Sequence, residues 1–521
     1  MRPSAGWSWL VAALLVGILL GFTASLPGLF DLDEGFYASA AAEMLRSGDY
    51  LTPRYAQKPF LEKPPLLYWC MAGFLRLGLP GEFAVRLPSV TAATLLLIVV
   101  GWTAARRGAG VLAVVGLAIT PIFFGLGSLA YTDMLLTLFL TAALMLFWSS
   151  LTGGPAWLRG PMAICLGLGT LTKGPVALVL FLLIAGVTYW KIPSVRHAYR
   201  KWWVEAAILY LLVAVPWYYL IYKAHGSEFF TEFILRQNLG RFGGGDTAHT
   251  APFYFYFPVL LLGMFPWSLY LPWLAIRSRG DPFHRYCWIW FWVVFVFFSL
   301  SGSKLPSYIL PAFPAVALLL PIVPFEMTTS ASPSRAWATP LIAAGVVALA
   351  GAASFMLSTG NVPAGVGDAL RLTALVLTAT LILATLLTRV VRVEVAHCVT
   401  PVLIGAGLVL PLALLGIPAY YDETHRDIHV LSQRMRPLVA EGATYVLYRV
   451  RPGHPSVMFY MPEQGVSVGD VHAAKPHTGH GEVYITLRNH VEELRQLGLT
   501  EIDAQGKYVA MRSAPREHEE P

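Results

Sequence analysis

Charge is scarce in this chain. Only 13% of its 521 residues are Asp, Glu, Lys or Arg, against roughly a quarter in water-soluble globular proteins, which excludes a soluble enzyme. Cysteine is scarce too. Cys70, Cys165, Cys287 and Cys398 are scattered singly, without CxxC spacing for zinc or the density that staples a secreted domain. No fixed-period repeat is found, which counts against a solenoid and against a duplicated transporter. The GxxxxGK[ST] order of a nucleotide-binding loop is also missing. The nearest approach, Gly167-Leu-Gly-Thr-Leu-Thr-Lys173-Gly174, is expected at the outer face, away from cytoplasmic ATP, so no nucleotide cofactor is expected.

What the chain has in abundance is apolar sequence: 56% of residues are hydrophobic and mean hydropathy is +0.60. With about 20 apolar residues needed per crossing, this reads as an all-α polytopic membrane protein. Expected spans are 7–29, 88–105, 110–128, 134–151, 161–172, 176–190, 203–222, 252–276, 287–301, 308–325, 337–357, 370–388 and 398–418, about thirteen in all. The first is read as a retained helix rather than a cleaved signal, because its apolar run is long enough to cross. The net charge of +7 is assigned to cytoplasmic loops rather than to nucleic-acid binding. Arg106, Arg107, Arg159, Lys191, Arg196, Arg200, Lys201, Arg277, Arg279, Arg285, Arg335, Arg389 and Arg392 mark those loops, which puts the N-terminus inside and the C-terminus outside. Carboxylates gather on the other face: Asp31, Asp33, Glu34, Glu43, Asp49, Glu62 and Glu82 in a first outer loop, 31–87, and Asp133 in the second. The expected division is a transmembrane domain over 1–418, with a mobile outer loop at 224–252, and a small outer α/β domain over 419–521. In the latter, helices are expected near 424–440 and 489–497, strands at 444–448 and 483–487, and a disordered tail from 515.

Three groups of residues carry chemical signal. In Asp31-Leu-Asp33-Glu34-Gly-Phe-Tyr37, acids precede an alanine-rich helical stretch. They can cap that helix and compensate its dipole, but a carboxylate at the membrane–water boundary also suits removal of a proton from an acceptor hydroxyl. In Glu62-Lys63-Pro64-Pro65, two prolines fix the backbone after an adjacent acid and base, so their side chains project in determined directions. Finally, Lys63, Lys173 and Lys304 fall at outer ends of spans, where lysine is not expected from topology. Several cations at one membrane face suggest an anion at headgroup depth, such as a lipid phosphate. Between spans, 233–256 contains three consecutive glycines ahead of His249, a mobile connection of the kind that orders over substrate. His249 with a carboxylate such as Glu62 could ligate a metal, though a lone histidine is more often a plain interfacial residue.

Asp33-Glu34 with Tyr37, Gly48-Asp49, Glu62-Lys63-Pro64-Pro65-Leu66 with Tyr68-Trp69, Thr132-Asp133, Thr172-Lys173-Gly174-Pro175, His249 before Pro252-Phe253-Tyr254, and Lys304-Leu305-Pro306-Ser307-Tyr308 occur in this order. Together they resemble the bacterial lipid A aminoarabinose transferases and their relatives in the protein O-mannosyltransferase superfamily. The resemblance implies a C-type glycosyltransferase fold with about thirteen transmembrane helices and a periplasmic α/β C-terminal domain, in the inner membrane. It implies an enzyme that takes a sugar from a polyprenyl-phosphate donor, typically undecaprenyl phosphate, and inverts the anomeric centre. Lipid A is the favoured acceptor and 4-amino-4-deoxy-L-arabinose the favoured sugar, with other glycolipids, glycans or proteins as variants. Carried over by position, Asp33 would be the general base or acceptor-aligning group and Asp133 would assist it. Lys63, Lys173 and Tyr308 would cradle the donor phosphate, with Lys304 and Arg241 beside them and Tyr37 and Glu34 toward substrate. Glu62 and His249 match positions that hold a divalent ion, zinc, in aminoarabinose transferases. Two positions depart from the pattern: Phe36 where those enzymes usually have arginine, and Phe60 where they have tyrosine. These departures bear on sugar and acceptor rather than on reaction type. A transporter of lipid or solute would share the hydropathy, but its ionisable groups would lie near the bilayer midplane.

Overall fold

The computed structural model describes residues 7–196, 203–243, 250–278, 280–323, 346–347, 350–351, 354, 364–390, 393–441, 443–450, 454–461, 465–468 and 482–513. The chain packs as two compact units. One comprises Met1–Ala24, Leu61–Leu67 and Arg86–Gly416; the other comprises Ser25–Phe60, Tyr68–Val85 and Ile417–Pro521. The expected division at 418 put all of 31–87 with the spans. Instead, 25–60 and 68–85 share a unit with the C-terminal segment.

The first unit is built of apolar helices. Six helices among the described residues are long and apolar enough to cross a membrane: Gly81–Ala105, Thr132–Leu151, Val204–Gly243, Pro282–Leu300, Gly365–Ala384 and Cys398–Thr424. Two expected spans are instead bent pairs, Gly110–Ala118 with Pro121–Ser128 at 74° and Phe253–Gly263 with Trp267–Arg277 at 109°. Pro121 and Pro266 stand at these breaks, where a residue without an N–H cannot continue the hydrogen-bond ladder. The expected spans at 161–172 and 176–190 are the helices Arg159–Lys173 and Val176–Lys191. The one at 308–325 starts as a 3₁₀ segment, Pro306–Ala312, because Pro306 and Pro311 interrupt it. Most of the one at 337–357, and the tail from 515, lie outside the described residues.

Two buried threonine hydroxyls are satisfied within their own helices: Thr137 Oγ1 donates to the Asp133 carbonyl at 2.7 Å and Thr172 Oγ1 to the Leu168 carbonyl at 2.8 Å. Arg86 is fully buried and donates to the Ala24 carbonyl at 3.0 Å, so a cation neutralises the C-terminal end of the Ser8–Ala24 helix. On Val204–Gly243, by contrast, Val204, Ile208, Leu212 and Tyr219 are exposed. A face that apolar is matched to lipid.

The second unit holds a two-stranded hairpin of β1 (Arg54–Tyr55) and β2 (Lys58–Pro59) and, in a separate sheet, five further strands. These are β3 (Thr444–Tyr448), β4 (Gly465–Val468), β5 (Glu482–Leu487), β6 (Leu499–Gln505) and β7 (Tyr508–Ser513), in the order β4-β3-β5-β7-β6. β3 runs parallel to β4 and β5, while β7 is antiparallel to β5 and β6. Side chains alternate across the sheet as the strand period requires. Tyr445, Leu447, Val483, Ile485, Tyr508 and Ala510 face Ile428, Leu431, Met435 and Val439 of the Arg426–Ala440 helix. Val446, Tyr448, Tyr484, Val509 and Met511 form the opposite core with Leu494 and Leu499. The helix Asp33–Ser47 belongs to this unit and meets the C-terminal segment where Ser39 Oγ donates to the Pro455 carbonyl at 2.8 Å.

Candidate active site

In the first unit a cavity of about 300 Å³ is lined by Glu62, Lys63, Lys173, Phe233, Asn238, Arg241, Ser303 and Tyr308, among others. Each polar wall residue is delivered by a local device. Glu62 and Lys63 sit in the turn before the Leu66–Leu75 helix, with Pro64 and Pro65 leading into it. Lys173 is the last residue of Arg159–Lys173, where a cation complements the helix dipole. Gly174 then turns the chain at φ 86°, ψ −161°, a conformation essentially restricted to glycine.

Lys173 Nζ reaches Asp133 Oδ1 at 2.6 Å, with side chains 12% and 4% exposed, and lies 4.0 Å from the centre of the Tyr308 ring. Asp133 occupies the first turn of Thr132–Leu151, where a carboxylate is stabilised by the helix N-terminus. Carboxylate, ammonium and phenol thus form one continuous group, of which Lys173 and Tyr308 face the cavity. The Ser301–Leu305 loop is tied to the strip carrying Arg241: Gly302 N donates to the Phe242 carbonyl and Ser303 N to the Arg241 carbonyl, both at 2.9 Å. Lys304 is buried and gives its ammonium to the carbonyls of Ala251, at 3.0 Å, and Ser301. It therefore braces this loop rather than standing among the cavity-lining residues.

Asp33, Glu34 and Tyr37 lie in the second unit, on Asp33–Ser47. Asp33 is partly exposed and has no side-chain hydrogen bond or ion pair among the described residues. A carboxylate without a neutralising partner is available to accept a proton. Glu34 is fully buried, and its Oε2 accepts from Phe30 N at 2.8 Å, closing the turn ahead of the helix. Tyr37 is buried with its ring 5.9 Å from that of Tyr68. The two departures from the aminoarabinose pattern touch each other. Phe36 stacks on Phe60 at 5.4 Å and meets Tyr55 edge-on at 4.7 Å. Burial, with the Asp31 charge adding to it, pushes the Tyr55 phenol well above its usual range, so that it stays neutral. His249 lies outside the described residues. Sequence reasoning passed over the supports of this site. Asn238 donates to the Phe233 carbonyl at 2.6 Å, and Tyr256 to the Leu305 carbonyl at 3.1 Å; neither stands in a motif that could have announced it.

Residues 62–220 match the family described as dolichyl-phosphate-mannose-protein mannosyltransferase. The chain is similar to the undecaprenyl phosphate-alpha-4-amino-4-deoxy-L-arabinose arabinosyl transferase of Edwardsiella ictaluri, 33% identical over 61% of this chain and 59% of that one. It is similar to the protein of the same name from Enterobacter sp. strain 638, 32% identical over 58% of each chain. The matched stretch is thus less than two thirds of those relatives' length. In structure it is similar to ArnT from Cupriavidus metallidurans solved bound to undecaprenyl phosphate, with a TM-score of 0.77, 21% identity and coverage of 97% of this chain and 98% of that one. The apo form of that protein gives a TM-score of 0.75, with 98% of each chain covered. The resemblance carried by the ordered motifs is borne out: the chain is aminoarabinose-transferase-like in sequence, and its mostly helical polytopic fold is that of ArnT, the C-type glycosyltransferase fold.

Proposed function

We propose that this chain is an integral-membrane glycosyltransferase that moves a sugar from a polyprenyl-phosphate donor, undecaprenyl phosphate, to an acceptor at the outer membrane face. The favoured acceptor is lipid A and the favoured sugar 4-amino-4-deoxy-L-arabinose or a close relative. The observation that carries the reading is the cavity whose wall holds Lys63, Lys173, Arg241 and Tyr308, a cationic and hydrogen-bonding lining suited to a lipid-linked phosphate. In the proposed reaction an acceptor oxygen attacks the anomeric carbon, the bond from that carbon to the phosphate oxygen breaks, and the polyprenyl phosphate leaves with the electron pair. Lys63, Lys173 and Arg241 stabilise the charge that develops on the leaving phosphate. Asp133 holds Lys173 in place, Asp33 aligns the acceptor and takes its proton where it is a hydroxyl, and Lys304 keeps the cavity loop in position. Glu34 and Tyr37 shape the substrate side of the helix that carries Asp33.

The same reading puts the protein in the inner membrane with about thirteen spans, the N-terminus cytoplasmic and the α/β segment from 419 periplasmic. It also assigns a zinc ion to Glu62 and His249, since a carboxylate oxygen and an imidazole nitrogen are suitable zinc donors; Glu62 lines the cavity. Such an ion would supply positive charge at that wall.

The test is mass spectrometry of lipid A and other glycolipids from cells lacking the protein, complemented with wild type or Asp33→Asn at equal expression. A sugar-sized mass increment restored by wild type and lost by at least about 100-fold in the variant is expected, the scale of a general-base contribution. No increment on any glycolipid would overturn lipid A as acceptor; full restoration by Asp33→Asn would overturn its role.

A further inference from the structure

Within the second unit, three metal-ligating side chains from distant parts of the chain come together. Ligand atoms of Asp31, His425 and His454 all lie within 4.8 Å of one another. Asp31 Oδ2 is 2.8 Å from His454 Nδ1, with side chains 3% and 6% exposed. His425, also buried, turns Nε2 toward Asp31, accepting from its backbone N–H at 3.2 Å. That contact requires Nε2 to be deprotonated, and the lone pair that now accepts the Asp31 N–H is the one a cation would take in its place.

The atoms that do not face the cluster centre are held by a second ring of contacts. His454 Nε2 meets the Tyr508 hydroxyl at 3.1 Å and His425 Nδ1 meets Thr424 Oγ1. Asp31 Oδ1 accepts from Ser456 N at 2.9 Å, and Ser456 Oγ is in turn bonded to His429 Nε2 at 2.7 Å. Partners of this kind orient metal ligands and fix their tautomers. With a cation bound at His454 Nδ1, its Nε2–H donates to the Tyr508 oxygen, a contact already in place. Gly35 allows the approach, since a Cβ there would collide with Asp31 Oδ1 and the Ser456 nitrogen.

We propose that Asp31 Oδ2, His425 Nε2 and His454 Nδ1 form a site for a zinc-class divalent ion, distinct from the Glu62–His249 pair. Two imidazoles and one carboxylate are a donor set suited to zinc, with a fourth position for water. The site pins the segment that leads into the Asp33 helix to the C-terminal part of the same unit, so it positions Asp33, two residues on, without taking part in transfer. The inference rests on these side chains alone and stands whatever the sugar or acceptor.

The test counts zinc by elemental mass spectrometry in the purified full-length protein, loaded with zinc and then desalted. Wild type is expected to retain a zinc equivalent that His425→Ala and His454→Ala each lose and Glu62→Ala keeps. A wild type that retains none, histidine variants that retain as much as wild type, or loss of all zinc in Glu62→Ala would each overturn the site. Should either histidine variant aggregate on gel filtration, the decisive measurement is the visible spectrum of the cobalt-loaded Glu62→Ala, His249→Ala protein. Four-coordinate cobalt bands are expected, and their absence refutes the proposal.

Discussion

At the residue scale the decisive contact is the buried pair of Lys173 and Asp133, 2.6 Å apart. Taking two charges out of water is costly, and their mutual attraction offsets that cost only while both are present. Lys173→Met should therefore destabilise the protein by about 3–5 kcal/mol, because it leaves a buried carboxylate without its cation. Adding Asp133→Asn should recover most of that loss, since the uncompensated charge is then gone. Transfer activity should not return, because the cation beside Tyr308 is still missing. Thermal unfolding in detergent and a transfer assay on wild type, Lys173→Met and the double variant separate the two effects. Equal stability of single and double variants would mean that the pair is not electrostatically coupled. These residues were legible in sequence because a charge inside an apolar run is conspicuous, and Lys173 and Asp133 each stand alone in theirs. Their contact was not legible, since it joins positions 40 apart. The same limit hid the histidines that meet Asp31, which lie 394 and 423 positions away.

At the element scale, the helix Arg159–Lys173 has to end where it does. Gly174 stands at φ 86°, and a Cβ there would come 3.0 Å from the Phe233 ring and 3.3 Å from Asn238 Oδ1. Gly174→Ala should cost about 1–3 kcal/mol through backbone strain, and more if Phe233 cannot give way. It should also lower transfer, because Lys173 is the preceding residue and its ammonium would be moved from Asp133 and Tyr308. A variant with wild-type unfolding midpoint and wild-type rate would refute both effects. Elements whose local pattern agrees with their burial were readable: the expected strands at 444–448 and 483–487 and the helix near 424–440 match Thr444–Tyr448, Glu482–Leu487 and Arg426–Ala440. The strands Leu499–Gln505 and Tyr508–Ser513 were missed. The first exposes both of its β-branched residues, Thr500 and Ile502, and a bulge between Glu501 and Asp503 interrupts its pairing. The Gly506-Lys507 turn between them was the available cue, with Gly506 at φ 54°.

At the scale of the whole molecule, the number of times the chain crosses decides, through its parity, on which side the α/β segment works. Hydropathy suggests about thirteen spans, whereas six described helices are long enough by themselves and eight if each bent pair counts as one. Short helices such as Val176–Lys191, and segments interrupted by proline, separate the two counts. Charge gives an independent handle: Arg106, Arg107, Arg159 and Lys191 should lie in the cytoplasm, so Lys63, Lys173 and Asp133 belong to the opposite face. A reporter active only outside the cytoplasm, fused after Lys191 in one chain and after Ile417 in another, reads both arguments at once. The expected outcome is silence at 191 and activity at 417. Activity at 191 would invert the loop assignment and put the cationic cavity on the cytoplasmic side, where a periplasmic acceptor cannot reach it. Silence at both sites would leave the orientation of the first half intact but make the number of crossings even, and the C-terminal segment would then be cytoplasmic. Only the expected pair of results puts the segment from Ile417, which shares a unit with the Asp33 helix, outside the cytoplasm, where the proposed acceptor is.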